Sequence, residues 1–160
     1  MNSKKLSDKQ LKEINQYLDE GFLEESLAKI NDDHSQIGLF LKFHLIIEYY
    51  LTENLSHNLV IDDIKNVRLS FHQKVNLISK KDKWTYDLKP ALLELNKIRN
   101  KFAHNIGHKV KFSDLIEIKE QVKRFRDTEH NSLKKLLIDF TILSLSQMLR
   151  SQSRIKKIFE

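Results

Sequence analysis

No cysteine occurs among the 160 residues, and proline and glycine are nearly as scarce, at one and three. Without cysteine there is no disulfide frame, no thiolate metal site and no thiol nucleophile. So few chain-breakers cannot supply the many tight turns of an all-β fold, and they predict an all-α chain. Long hydrophobic runs are missing too. The most apolar stretch, residues 37–51, is interrupted by Lys42, His44 and Glu48 and is too short to span a bilayer. Met1-Asn2-Ser3-Lys4-Lys5-Leu6 is not followed by the apolar core of a signal peptide. Together these absences predict a soluble, cytoplasmic protein with no membrane partner.

What is present is ordinary in amount but uneven in placement. At 40% hydrophobic and 31% charged, the chain can form one globular domain with a proper core. Residues 1–40 carry five Lys and eight Asp or Glu, a balance of −3, so the remaining 120 hold +9 of the net +6. Lys80-Lys81-Asp82-Lys83 and Arg150…Arg154-Ile155-Lys156-Lys157 contribute to that excess. A basic surface attracts nucleic acid or another polyanion. No zinc-finger spacing, basic region running into heptads, or helix-turn-helix with its glycine turn points to DNA reading.

Hydrophobic periodicity predicts about seven helices. Ser7-Asp8-Lys9-Gln10 is a capping box opening a helix towards Glu20, with Leu6 and Leu11 as its staple; residues 22–30 make a second, short helix. Ser35 caps a third that runs to about Asn54, apolar on nearly every face and therefore central. A fourth covers 69–79, with Phe71, Val75 and Ile78 inward, and a polar loop spans 80–86. A fifth runs over 88–104, with Pro90 tolerated in its first turn. Ser113-Asp114 caps a sixth, to Arg126, and Asn131 or Ser132 caps the last, through Leu149. The expectation is a helical bundle over 35–160, with the helices of 1–34 packed on it as part of a single domain.

Arg99-Asn100-Lys101-Phe102-Ala103-His104 closes the fifth helix, and Asn105 and Gly107 look like its stop signal. At about 100° per residue, Asn100 and His104 project from nearly one face, and Arg99 flanks it. The planar fork of Arg suits phosphate oxygens, and His titrates near neutrality. A cation, an amide and an imidazole so placed suit an RNA backbone. The same residues also oppose the negative end of any helix dipole.

The central part of the chain, residues 36–126, resembles the HEPN superfamily of small four-helix-bundle proteins marked by Arg, four to six residues, then His. The form here is Arg99-Asn100, three residues and His104. Preceding it are the apolar helix with its embedded acid, Phe43-His44-Leu45-Ile46-Ile47-Glu48-Tyr49-Tyr50-Leu51, and then Ser70-Phe71-His72-Gln73-Lys74-Val75-Asn76-Leu77-Ile78. Val110…Phe112-Ser113-Asp114 follows, an order similar to the branch containing the mannitol operon repressor. The fold this implies is an antiparallel four-helix bundle with additional N-terminal and C-terminal helices.

The resemblance implies a dimeric, metal-independent endoribonuclease, such as a toxin or an antiviral defence effector. Its catalytic residues would be Arg99 on the scissile phosphate, Asn100 orienting or donating, and His104 as general acid or base. Single-stranded RNA would be the substrate, cut to 2′,3′-cyclic phosphate ends; the partners would be a second copy and an antitoxin or regulatory protein. No cofactor and no metal is expected. The alternatives are a mannitol-repressor-like regulatory module without catalysis, and an RNA- or nucleotide-binding protein without turnover.

Supporting roles are open to Glu48, either paired with Arg99 or in a structural ion pair, and to His108 in the loop past the motif. His44, one turn before Glu48, reads as a satisfied buried histidine. His72 and Lys74 read as helix-surface residues, and His34, His57 and His130 show no partner spacing. His104 and His108 alone stand at a ligand-like spacing, across a helix end.

Overall fold

The structure, a computed structural model, describes residues 36–59, 64, 66–105, 108–126 and 130–159, with side chains to 152. The helices expected over 1–34, the Ser35 cap and the Gly107 stop lie outside the described residues. Among those described there are six α-helices, one 3₁₀ turn and no strand: α1 Gln36–Asn58, α2 Phe71–Leu77, α3 Lys83–Tyr86, α4 Lys89–His104, α5 Ile116–Phe125 and α6 Leu133–Phe159. The all-helical expectation holds. None of the described helices is long and apolar enough to cross a membrane.

Helix α1 is central, as its apolar composition requires. Phe40, Phe43, Ile47, Leu51 and Leu55 recur at three- and four-residue spacing and are fully buried. They meet Leu136, Leu137, Phe140, Leu145 and Met148 of α6 in one continuous core. Helix α1 packs against α4 and α6, and α5 packs against the same two, closing a four-helix ring. Helix α2 lies on α1 and α4, and α3 lies on α6. Polar contacts cross the ring as well: buried Asn54 donates to the Met148 carbonyl at 3.0 Å, and Asn58 to the buried Ser151 hydroxyl at 3.0 Å.

Helix α4 positions the motif. Its Leu92, Leu95, Ile98 and Phe102 are buried, and the Phe102 ring lies 5.5 Å from that of Phe40 on α1. Each such side chain contributes roughly 1.5–3 kcal/mol by leaving water, so the helix has one stable rotation about its axis. That rotation leaves Lys97, Asn100, Lys101 and His104 exposed.

Several boundaries differ from the sequence reading, each for a local reason. Helix α1 runs past Asn54 to Asn58, because Asn54 is buried and bonded to α6 and is not at a frayed end. Residues 80–86 are not all loop: Asp82 accepts the Thr85 N–H at 3.2 Å and starts the single turn of α3. Ser113 and Asp114 do not cap α5; they lie in a 3₁₀ turn, where Asp114 accepts the Lys111 N–H at 2.9 Å. The cap of α5 comes from α4. Glu94 accepts the N–H groups of Ile116, Glu117 and Ile118 at 3.0, 3.2 and 3.0 Å. A carboxylate is the right group for a helix N-terminus, which has unpaired donors and a positive dipole end. Ser132 does cap α6, accepting the Lys135 N–H at 3.2 Å, and the helix continues ten residues beyond Leu149.

Glu94→Ala should therefore destabilise the fold by about 1–3 kcal/mol, the cost of losing a charge-assisted cap. Glu94→Gln should lose less, since its amide oxygen still accepts. Urea unfolding followed by circular dichroism measures both.

Candidate functional site

The exposed face of α4 forms one wall of an open cleft of about 750 Å³. Asn96, Asn100 and His104 line it at successive turns, with Lys97 and Lys101 beside them. His72 of α2, Leu93 of α4, and Asn105 and His108 past the helix end complete it, and no carboxylate is among its lining residues. The cleft is thus rich in hydrogen-bond donors and cations, which suits an anionic ligand. Arg99 does not line the cleft. It stands on the flank, where its Nη1 donates to Asn100 Oδ1 at 3.2 Å.

His108 is brought to the site by a clamp well separated in sequence. The Gln36 side chain accepts the Val110 N–H at 3.0 Å and donates to the Val110 carbonyl at 3.3 Å. That ties the loop to the start of α1. His108 N–H bonds the Asn105 carbonyl at 3.0 Å, and its ring sits edge-on to Phe102 with centroids 5.6 Å apart. Helix α4 ends at His104 as expected, but Asn105 caps it in an extended conformation, not a left-handed one.

Glu48 takes the structural option. It pairs with Lys74 at 2.8 Å and stands 3.7 Å from His44 Nδ1, while Arg99 turns to Asn100. Lys74 is accordingly not a surface residue, its side chain being only 14% exposed. His44 is buried as read, with the Phe71 ring tilted against it at 4.2 Å between centroids and Nε2 placed 3.4 Å from Asn96 Oδ1. Burial holds the His44 imidazole below its ordinary 6.5; Glu48 and the Asn96 hydrogen bond oppose that, and the Arg99 and Lys74 charges reinforce it.

Beyond Asn100, His104 and His108, the cleft is lined by His72, Leu93, Asn96, Lys97, Lys101 and Asn105, none of which the sequence reading gave a site role. His72 belongs to the site because α2 lies across α4, a tertiary fact with no signal in spacing. Asn96 sits one turn before Asn100 on the same helix face, and that spacing did carry a signal. His130 also has a partner after all: Asp139 accepts from its Nε2 at 2.8 Å and from Arg126, joining α5 to α6 away from the cleft. His57 lies 2.8 Å from the Glu53 carbonyl through Nδ1. Among the described residues no group of three or more His, Cys, Asp or Glu could hold a metal ion. Comparison with protein-family models, curated proteins and solved structures gives no match to this chain.

Because His44 binds its proton less readily in the folded chain than in the unfolded one, the unfolded state gains protons first as pH falls below 6.5. Stability should drop through that window, by at most about 1.4 kcal/mol per pH unit from one group. Urea midpoints between pH 7.5 and 5.5 should fall less in His44→Gln than in wild type. Equal slopes would remove His44 as the cause.

Proposed function

We propose that the protein is a dimeric endoribonuclease of the HEPN type, working on single-stranded RNA in the cytoplasm without a metal ion. The observation that carries this reading is the shared cleft: Asn100 and His104 line it together, flanked by cations, with no carboxylate to repel a phosphate. Arg99, held at Asn100, is within side-chain reach of a phosphodiester lying along α4. The antiparallel HEPN arrangement is part of the same proposal, and the four-helix ring supports it.

The chemistry follows from these groups. His104 takes the proton of a ribose 2′-hydroxyl, whose oxygen bonds to phosphorus while the bond to the 5′ oxygen breaks. A second imidazole returns a proton to that leaving oxygen, and the products are a 2′,3′-cyclic phosphate and a 5′-hydroxyl. One motif His per chain suggests that His104 of the partner subunit is the second, with the exposed face of α4 near a twofold axis. Arg99 and the Asn100 amide balance charge building on the phosphorane. Growth arrest of a host cell, checked by an antitoxin or regulatory partner, is the biological setting this activity fits.

A second reading has one observation in its favour. No described residue holds the exposed His104 ring by a hydrogen bond or ion pair, whereas a catalytic His is commonly oriented by a neighbour. An RNA-binding protein without turnover needs no such orientation.

On the nuclease reading, purified protein should cleave single-stranded RNA in EDTA and leave DNA intact. His104→Ala should lower the rate by ~10²–10⁴ while retaining RNA binding. Arg99→Ala should weaken both, and Arg99→Lys should recover only part, having charge without the fork. Cleavage unchanged in His104→Ala would defeat the assignment of His104, and binding with no cleavage in wild type would leave the binding reading.

Light scattering at micromolar concentration should give about twice the 19.0 kDa chain mass. A strict monomer would rule out the composite site.

A further inference from the structure

Asn96 and Asn100 are one turn apart on α4 and line the same cleft, and their side chains are set in the same way. Each carboxamide has its oxygen engaged by the protein. Asn100 Oδ1 accepts from Arg99 at 3.2 Å, and Asn96 Oδ1 stands 3.4 Å from Nε2 of His44. What each has left for the cleft is its NH₂ group, a donor of two hydrogen bonds. An asparagine free to turn over offers a bound anion either a donor or a repelling oxygen. One whose oxygen is tethered offers the donor alone.

The tether on Asn96 is anchored deeply. His44 is 4% exposed, packed against the tilted Phe71 ring at 4.2 Å between centroids, and its Nδ1 lies 3.7 Å from the Glu48 carboxylate. Lys74 holds that carboxylate at 2.8 Å from the other side. A chain of contacts therefore runs from α2 through α1 to the cleft wall on α4, and Asn96 is the point where it opens to ligand. Solvating a buried histidine would need no cleft-lining residue; the placement of Asn96 at the wall is what gives the chain an outlet.

We propose that Asn96 is a substrate-positioning residue, its NH₂ fixed by His44 and donating to an oxygen of the bound nucleotide beside the Asn100 donor. This rests on the ribonuclease reading above and adds to it a second amide, one turn further along the strand's path. His44 acts through Asn96 and does not touch substrate. The benefit is preorganisation: the donor is already turned to the cleft before RNA arrives, so binding does not have to order it.

The test is steady-state cleavage of a single-stranded RNA oligonucleotide, with the dissociation constant read in place of KM if the chain binds without cleaving. Asn96→Ala should raise KM about tenfold with kcat within about threefold, the size expected for one hydrogen bond to a charged acceptor. Asn96→Asp should be worse, because it presents a carboxylate. His44→Phe, which keeps an aromatic ring against Phe71 but removes the donor, should match Asn96→Ala, and the double variant should be no worse than Asn96→Ala alone. His44→Gln, which restores an N–H, should recover most of the loss. A KM effect equal for all sequences identifies a backbone oxygen as the acceptor, and one confined to a particular base at the cut identifies a base carbonyl; either supports the proposal.

Wild-type KM in Asn96→Ala, with wild-type cleavage intact, would overturn the proposal and leave the ribonuclease reading standing. No binding or cleavage by the wild type would overturn both. Should His44→Phe not fold, the Asn96→Ala and Asn96→Asp comparison still decides, since Asn96 is only partly buried.

Discussion

Burial of one face of α4 fixes everything else about the site. Leu92, Leu95, Ile98 and Phe102 occupy that face, and the Phe102–Phe40 contact locks it to α1. A helix has a single rotational degree of freedom once its ends are placed, and a buried stripe removes it. The opposite face is then exposed by geometry, whatever residues stand there. Asn100 and His104 are in the cleft because Leu92 and Phe102 are in the core. Arg99, about 100° round from Asn100, is carried to the flank by the same rotation.

That constraint explains which parts were readable in advance. The stripe of α4, the central position of α1 and the common face of Asn100 and His104 all follow from spacing within one helix, and spacing is printed in the sequence. Ser70 with Gln73, capping α2 reciprocally, is local in the same sense, although the sequence reading started that helix at Leu69 and ran it to Ser79. The failures are contacts between distant segments. Glu94 caps α5 across more than twenty residues, so Ser113-Asp114, which look like a local cap, are displaced into a 3₁₀ turn. Asp82, apparently one charge in a solvated basic run, starts α3 and accepts from Asn58 of α1 at 3.3 Å. His72, Lys74 and His108 each needed a partner from another element to acquire a role.

The same contrast applies to Glu48. A carboxylate in an apolar helix demands a cation, and the sequence offered Arg99 as one of its candidates. Helix α2, lying on both α1 and α4, delivers Lys74 to it instead. A half-buried carboxylate satisfied by Lys74 has no need of Arg99, and the guanidinium stands at the surface, beside Asn100. The structural ion pair and the availability of Arg99 are thus one fact seen from two sides. Had Glu48 paired with Arg99, the motif cation would have been neutralised within the bundle.

Charge therefore sorts by depth along this side of the molecule. Innermost lies the apolar contact of Phe40 and Phe102; next comes the compensated layer of Glu48, Lys74 and His44; outermost is a wall of amides, lysines and histidines with no acid among them. The middle layer matters to the outer one for an electrostatic reason. A negative charge on half-buried Glu48 without Lys74 would be only partly screened by solvent and would oppose a phosphate in the cleft. Paired, the two charges leave mainly a dipole, whose field falls off faster with distance. The cations left on the cleft side of α4 are Lys97 and Lys101 in the lining and Arg99 on the flank, all carried there by the apolar stripe on its other face.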